Sequence, residues 1–419
     1  MRARAAGTGR RGRLASMKYV PIPIAMLEVG RPLPIDIWSD TGQLLLKKGQ
    51  PVVSEQHRDK LHAFNASSTP GDAMAWQRAY ERMVHEMLRD GVDVQTIAQA
   101  PMPSRIRDVD YVAGTALSGG WPDLQDVLRG ILYQGGLAIN PLSRLDGMAR
   151  TVLKLLDVDP DDALFRLFQM LGDNSLGYCS THALLTGTIS LLTADKLGLD
   201  PSVRRSLLDA ALTQNIGMAR DQDSLSRQNA APTEWQRQLI ADHAGRSADT
   251  LHKLGLEDED TLDLVRWHHK PLHPEALPRN RMARRVLATA DGFVAKMAAR
   301  KSRTPMPAIS AAKSIFAAAE GEAAAVGGAM ATSTGFYPPG TYVLLVNGDT
   351  AVVAQRGARA NAPWVIPVMD KNSMPVTVYA CRDTHDPAWA LVTPLNFQSV
   401  KVSVSADRVQ RARARMPKV

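Results

Sequence analysis

The chain has 419 residues, of which 45% are hydrophobic and 22% charged; this is enough for two or three globular domains and excludes a disordered or fibrous protein. Its formal net charge of +8 sits at the two ends: residues 1–16 carry five arginines, residues 408–419 carry four arginines and a lysine, and neither segment holds an acid. Without those ten, 40 basic residues face 42 acidic ones, which argues against nucleic acid as a partner of the body and predicts two solvated, disordered ends.

No run of 18 apolar residues is present, so no membrane span is expected. Cys179 and Cys381 are far apart and suggest no disulfide framework, which fits a reducing, cytoplasmic setting. The basic head, 1–16, lacks the apolar segment of a secretory signal, and Met17 is a second candidate start.

Residues 17–70 read as a small β/α unit. Two short β-type runs in "LPIDIWSDTGQLLLKKGQPV" flank Asp40-Thr41-Gly42, a turn signal, and Ser54 caps the helix "SEQHRDKLHAF". Residues 71–155 form a helical connecting region that begins with "MAWQRAYERMVHEML" and is interrupted by "APMPSRIRDVD" and "SGGWPD". From Leu124 to Met297 the pattern predicts about eight helices. Asp200-Pro201 marks one start, and Thr233 with Gln236 marks another as a capping box. The all-helical domain is assigned to 156–320, with an Ala/Gly-rich helix at 311–331 fraying into a linker. Residues 335–405 change to a β period. Asn347-Gly348 marks a hairpin, "PWVIPVM" and "PVTVYA" read as further strands, and 406–419 is the basic tail. The two β-rich pieces are expected to lie together, because neither makes a convincing sheet alone. The fold class is therefore mainly α with small β-rich extensions at both ends.

Ionisable residues interrupt the apolar helical stripes at five places. His182 lies in line with Leu185 and Ile189, His243 with Ile240 and Leu251, His268 with Leu264, His269 with Leu262 and Val265, and Asp291 with Leu287 and Val294. Spacings of three, four, seven and eight turn such side chains inward. A single one of these histidines is most simply a satisfied core residue, but a buried mid-helix carboxylate needs a partner or a metal. Four imidazoles and a carboxylate suit zinc, iron, manganese or nickel. Two amides, Gln214 and Asn215, also continue apolar stripes at the end of "LLDAALTQNIGM", before Gly217 as a helix stop.

The ordered series resembles the HD superfamily and its HD-GYP branch of metal-dependent phosphodiesterases. His182 in "STHALLTG", "QNIGM" at 214–218 in place of "HDIGK", His243 in "LIADHAGRSADTL", His268 and His269 in "RWHHK", and Asp291 in "ATADGF" follow the family's order over roughly residues 170–310. The stretch "FYPPGTYVLLVNGDTAVV" is similar to a β extension often appended to such domains. The resemblance implies an all-helical HD-type domain in a protein of bacterial cyclic di-GMP type signalling. It also implies metal ligation by His182, His243, His268, His269 and Asp291.

The departures fall on the centre of that chemistry. The family's His-Asp dyad is Gln214-Asn215, its lysine is Met218, the glutamate after the histidine pair is Lys270, and "KPLHPEALPRN" replaces the GYP loop. Four neutral imidazoles and one carboxylate neutralise two divalent ions poorly, so two-metal phosphodiester hydrolysis is not expected. One ion (iron, manganese or zinc) on His243, His268 and His269, with Asn215 as a weak fourth ligand, is one expectation. The other is a packed remnant without metal. The leading expectation is a catalytically impaired regulatory or interaction module, with a cyclic dinucleotide and a signalling protein as candidate partners. The alternative is an active phosphohydrolase with an unusual mononuclear site.

Overall fold

The computed structural model describes residues 19–107, 110, 120–173, 177–317 and 319–416. The basic head lies outside them. Two compact units emerge among the described residues, the first made of those up to Arg82 with those of 101–113, the second of those of 83–100 and from 120 onward. No helix among the described residues is long and apolar enough to cross a membrane.

In the first unit the strands β1 (Val20–Pro21), β2 (Ile37–Trp38), β3 (Leu44–Leu46) and β4 (Ser67–Ser68) form one sheet in the order β1-β4-β2-β3. Gly42 takes φ +88° at the turn between β2 and β3, where only glycine is unstrained. Ser54 caps α1 (Glu55–Ala63) by accepting from the His57 N–H. The helix α2 (Pro70–Arg89) carries Trp76 and Tyr80 into this core. Its Arg82 holds the Asp110 carboxylate through two bonds of 3.0 and 2.8 Å.

The second unit is helical around one buried helix. After α3 (Val94–Ala98) come α4 (Trp121–Gln134), α5 (Pro141–Val158) and α6 (Pro160–Gly172). Then follow α7 (Tyr178–Lys196), α8 (Pro201–Thr213), α9 (Ala219–Arg227), α10 (Glu234–Lys253), α11 (Glu259–Trp267) and α12 (Arg281–Met297). Every residue of α7 from Tyr178 to Leu191 is buried, so it has no polar face to offer water and must be enclosed. Helices α4, α6, α8, α9 and α12 enclose it together with α14 (Gly321–Thr334). Asp200 caps α8, and Thr233 with Gln236 forms a complete capping box on α10.

Four expectations from sequence need correction. The Ala/Gly-rich stretch is not a fraying linker but two packed helices, α13 (Ala308–Phe316) and α14, whose Val326 and Met330 are buried because small residues let the backbones approach. "PVTVYA" forms no strand; only a single bridge joins Pro375 to Met369. The two β-rich pieces make separate sheets. The second has the order β8-β7-β6-β5-β9, from β5 (Tyr342–Leu345), β6 (Thr350–Gln355), β7 (Trp364–Met369), β8 (Arg382–Asp383) and β9 (Leu391–Leu395). A fifth strand, β9, closes on the free side of the Asn347-Gly348 hairpin, and so this sheet needs no partner from the N-terminal piece.

The fourth correction concerns the tail, which is not solvated as far as it is described. Ala406–Arg413 forms α15, with Val409 and Ala412 buried against Phe165, Val352 and Ile366. Its arginines are engaged: Arg413 pairs with Asp159 at 3.0 Å, and Arg408 lies over the Tyr379 ring at 4.1 Å. Helix α6 anchors the same sheet through Gln169 Nε2, which donates to the Gly340 carbonyl at 2.6 Å, and through Asp161 to Arg356 at 2.6 Å.

Candidate metal centre

His182 sits one turn into α7 and Asp291 midway along α12. Their side chains meet with His182 Nε2 2.8 Å from Asp291 Oδ1. On the other side of the ring, Nδ1 lies 3.1 Å from the Tyr178 hydroxyl, which itself accepts from Arg300 Nη2 at 2.9 Å. Burial raises the Tyr178 pKa, so the hydroxyl keeps its proton. The His182 ring thus sits between a hydroxyl and a carboxylate, with both of its nitrogens within hydrogen-bond distance of a partner.

Gln214, at the C-cap of α8, donates from Nε2 to the same Asp291 oxygen at 2.8 Å. Its Oε1 is buried without a hydrogen-bond partner. Burial by itself would raise the Asp291 pKa. The His182 hydrogen bond outweighs burial and holds the carboxyl below the usual carboxylate range.

The other three histidines form a second group. His243 lies within α10, His268 caps the end of α11 and His269 follows it. The Nδ1 of His243 is 2.6 Å from the Ile240 carbonyl, and that of His268 is 2.7 Å from the Val265 carbonyl. A carbonyl only accepts, so each Nδ1 carries the ring proton and each Nε2 presents a lone pair. Those two Nε2 atoms are 3.2 Å apart. The His269 ring stands 5.0 Å from that of His243 and 4.0 Å from that of His268, and one donor nitrogen of each ring lies within 4.8 Å of the other two.

Two confronted lone pairs in a buried place repel. A direct hydrogen bond would need one ring to be cationic or to give up its carbonyl partner. Burial, then the neighbouring His269, pushes His268 down to about 3, and burial likewise lowers His243. Both rings are therefore neutral. A cation resolves the conflict, since nitrogens bound at ~2.0–2.1 Å around a tetrahedral ion stand about 3.3 Å apart. The donor set therefore fits one divalent transition ion, with the backbone carbonyls fixing the tautomers from behind.

Asn215, Met218, His182, His243, His269 and Asp291 line one cavity of about 220 Å³. The residues picked out from sequence thus converge, but in two groups. His182, Gln214 and Asp291 satisfy one another, while His243, His268 and His269 confront lone pairs. His269 is exposed rather than inward-facing, because it lies beyond the end of α11. Gly217 is no left-handed helix stop either. It lies in a 3-10 turn, Ile216–Met218, where a Cβ would come within 2.8 Å of the Ser247 backbone nitrogen. Glycine is there to let α10 approach.

Tyr178 and Arg300 escaped notice in the sequence. Tyr178 is four residues before His182 on one helix face, a spacing that could have flagged it. Arg300 follows α12 in a basic run, which gives no sign that it points into the cavity.

No protein-family model matches the chain, and no curated protein matches it. Among solved structures it is similar to "Bd1817, a HDG"Y"P protein from Bdellovibrio bacteriovorus", at 18% identity and a TM-score of 0.38, over 74% of this chain and 98% of that one. The two backbones superpose too loosely for that likeness to bear on the chemistry of the site.

Proposed function

We propose that this chain is a degenerate HD-GYP-type protein that has lost two-metal phosphodiesterase chemistry, keeps at most one divalent ion on His243, His268 and His269, and acts as a regulatory or interaction module. The observation that carries this is the Gln214 amide. Its N–H end points at the site's one carboxylate, so an ion on that Asp291 oxygen would face a donor hydrogen instead of a lone pair. The ordered resemblance of residues 170–310 to the family supports the same reading.

A bound ion would supply Lewis acidity to a polar ligand in the cavity. The chain's own residues set what surrounds it. His243 and His268 are held in tautomer by the Ile240 and Val265 carbonyls. Tyr178, itself held by Arg300, meets His182 on the side of the ring away from Asp291. The partners to assay first are a cyclic dinucleotide, which a cavity of about 220 Å³ would contact at its mouth rather than enclose, and a signalling protein for the β-rich pieces.

The Arg300 guanidinium favours a second reading, an active mononuclear phosphohydrolase. Arg300 lines the cavity, and its Nε is buried without a hydrogen-bond partner, a cation placed for a phosphoester. Protein purified without oxygen, analysed for metal and assayed for cyclic di-GMP turnover with manganese, iron and nickel, separates the two. At most one ion per chain and no turnover support the regulatory reading. Turnover that His269→Ala abolishes sinks it.

A further inference from the structure

A second cavity, of about 270 Å³, borders the Ile216–Met218 turn and is lined by Gln134, Gly135, Gly136, Arg220, Asp221 and Arg246 among others. Asp221 belongs to the first turn of α9 and is 9% exposed. Its Oδ1 is buried with no hydrogen-bond partner, and no ion pair forms on this carboxylate among the described residues. Orphaned buried acceptors of this kind cost on the order of 1–3 kcal/mol and call for a donor. Burial raises the carboxyl to about 6, against the pull of Arg220 and Arg246.

Three features define what fits. The occupant must bring its own N–H group to Asp221. It must carry negative charge, because the guanidinium groups of Arg220 and Arg246 stand at the same cavity. Arg220 already gives one N–H to the Ile97 carbonyl at 3.2 Å, and Arg246 is at the rim. The occupant must also be small, because the cavity falls below the range of drug-sized ligand sites. Gly135 and Gly136 leave one wall without side chains, so backbone can approach the occupant.

We propose that this cavity is a binding site for a free amino acid or a closely similar zwitterion, its ammonium group on Asp221 and its carboxylate on Arg220 and Arg246. Both contacts are charge-assisted, and a carboxylate on guanidinium is the stronger kind of pairing. Inorganic phosphate would meet the arginines and leave Asp221 unpaired, which selects against a simple anion. Met218 lines this cavity and the metal-side cavity alike, so the site is placed to report its occupancy to Asn215 through the Ile216–Met218 turn. The proposal uses no metal and stands or falls apart from the reading of the histidine cluster.

The test is calorimetric titration of the full chain with each of the standard amino acids, with inorganic phosphate as control. Saturable binding of at least one amino acid, tighter than phosphate, is expected. Arg246→Ala, at the rim, should weaken it about tenfold or more, and Asp221→Asn at least as much. The α-carboxamide of the bound amino acid should lose a similar factor. Absence of saturable binding by every amino acid overturns the proposal. So does phosphate binding as tightly as any of them, or binding that Arg246→Ala and Asp221→Asn both leave unchanged.

Discussion

Gln214 Nε2 and Asp291 Oδ1 are 2.8 Å apart, on the same carboxylate oxygen that receives His182 Nε2 at 2.8 Å. An amide at this point can donate but cannot neutralise a cation. If it is what limits the site to one ion, replacing both amides by the acidic dyad should admit a second. The double variant Gln214→His/Asn215→Asp should move bound manganese from about one to about two ions per chain by elemental analysis, since it adds a carboxylate and an imidazole. Asn215→Asp alone should stay near one, with Gln214 still in place. An unchanged metal content in the double variant would show that another feature sets the limit.

The confronted nitrogens of His243 and His268 give a prediction of metal removal. Protein stripped with a chelator should melt lower and recover on adding zinc or manganese, by about 2.7 kcal/mol at a hundred times the dissociation constant. His269→Ala should abolish most of that recovery and leave the stripped melting temperature almost unchanged, because His269 is exposed. Recovery of full size in His269→Ala would remove it from the donor set.

How much of this was legible beforehand differs between elements and contacts. The caps at Ser54, Asp200 and Thr233 and the Asn347-Gly348 hairpin are local, set by residues within four positions, and the sequence displayed them. The inward-turned His182, His243 and Asp291 followed from helical spacing. What spacing could not give was direction of donation. That His182 is tied up between Tyr178 and Asp291, and that Gln214 presents its N–H end, depends on which helices face each other across α7. The packing of α14 and α15 was hidden for the opposite reason. Alanine-rich and arginine-rich stretches look like linkers and tails until a partner surface, here α7 or the C-terminal sheet, is in place.

Asp221 makes stability depend on pH outside the histidine cluster. Its folded pKa of about 6 lies above the ordinary value of 3.8 expected when unfolded. Between those values the folded protein holds a proton the unfolded chain has released, so stability falls as pH rises through the window and levels off above it. Asp221→Asn removes the buried charge. It should be more stable than the parent at pH 7 by roughly 1–3 kcal/mol, with the gap closing below about pH 4. Urea denaturation across pH 4 to 8 measures this; a gap that does not vary with pH would contradict it.

Gly340 joins the C-terminal sheet to α6. It takes φ +90°, and a Cβ there would lie 2.5 Å from the Phe165 carbonyl oxygen. Neither the left-handed backbone nor the clash with main chain can be relieved by turning a side chain. Gly340→Ala should therefore cost about 2–4 kcal/mol by denaturant titration, well above an exposed glycine such as Gly49. A cost below about 1 kcal/mol would mean that the Gln169–Gly340 junction is free to shift.

The last helix decides between a solvated tail and a structural one. Val409 and Ala412 are buried on the sheet, and Arg413 meets Asp159 with its guanidinium mostly enclosed. Ending the chain after Ser405 uncovers Val352 and Ile366 and leaves Asp159 without its arginine. The exposed valine and isoleucine alone should cost about 2–4 kcal/mol, and the truncated protein should bind a hydrophobic dye that the full chain does not. The charge-only variant, with Arg411 and Arg415 changed to glutamine, should differ from the parent by less than about 0.5 kcal/mol. Equal stability of the truncated and full chains would return the segment to the class of solvated ends, its arginines then contributing net charge and nothing to the fold.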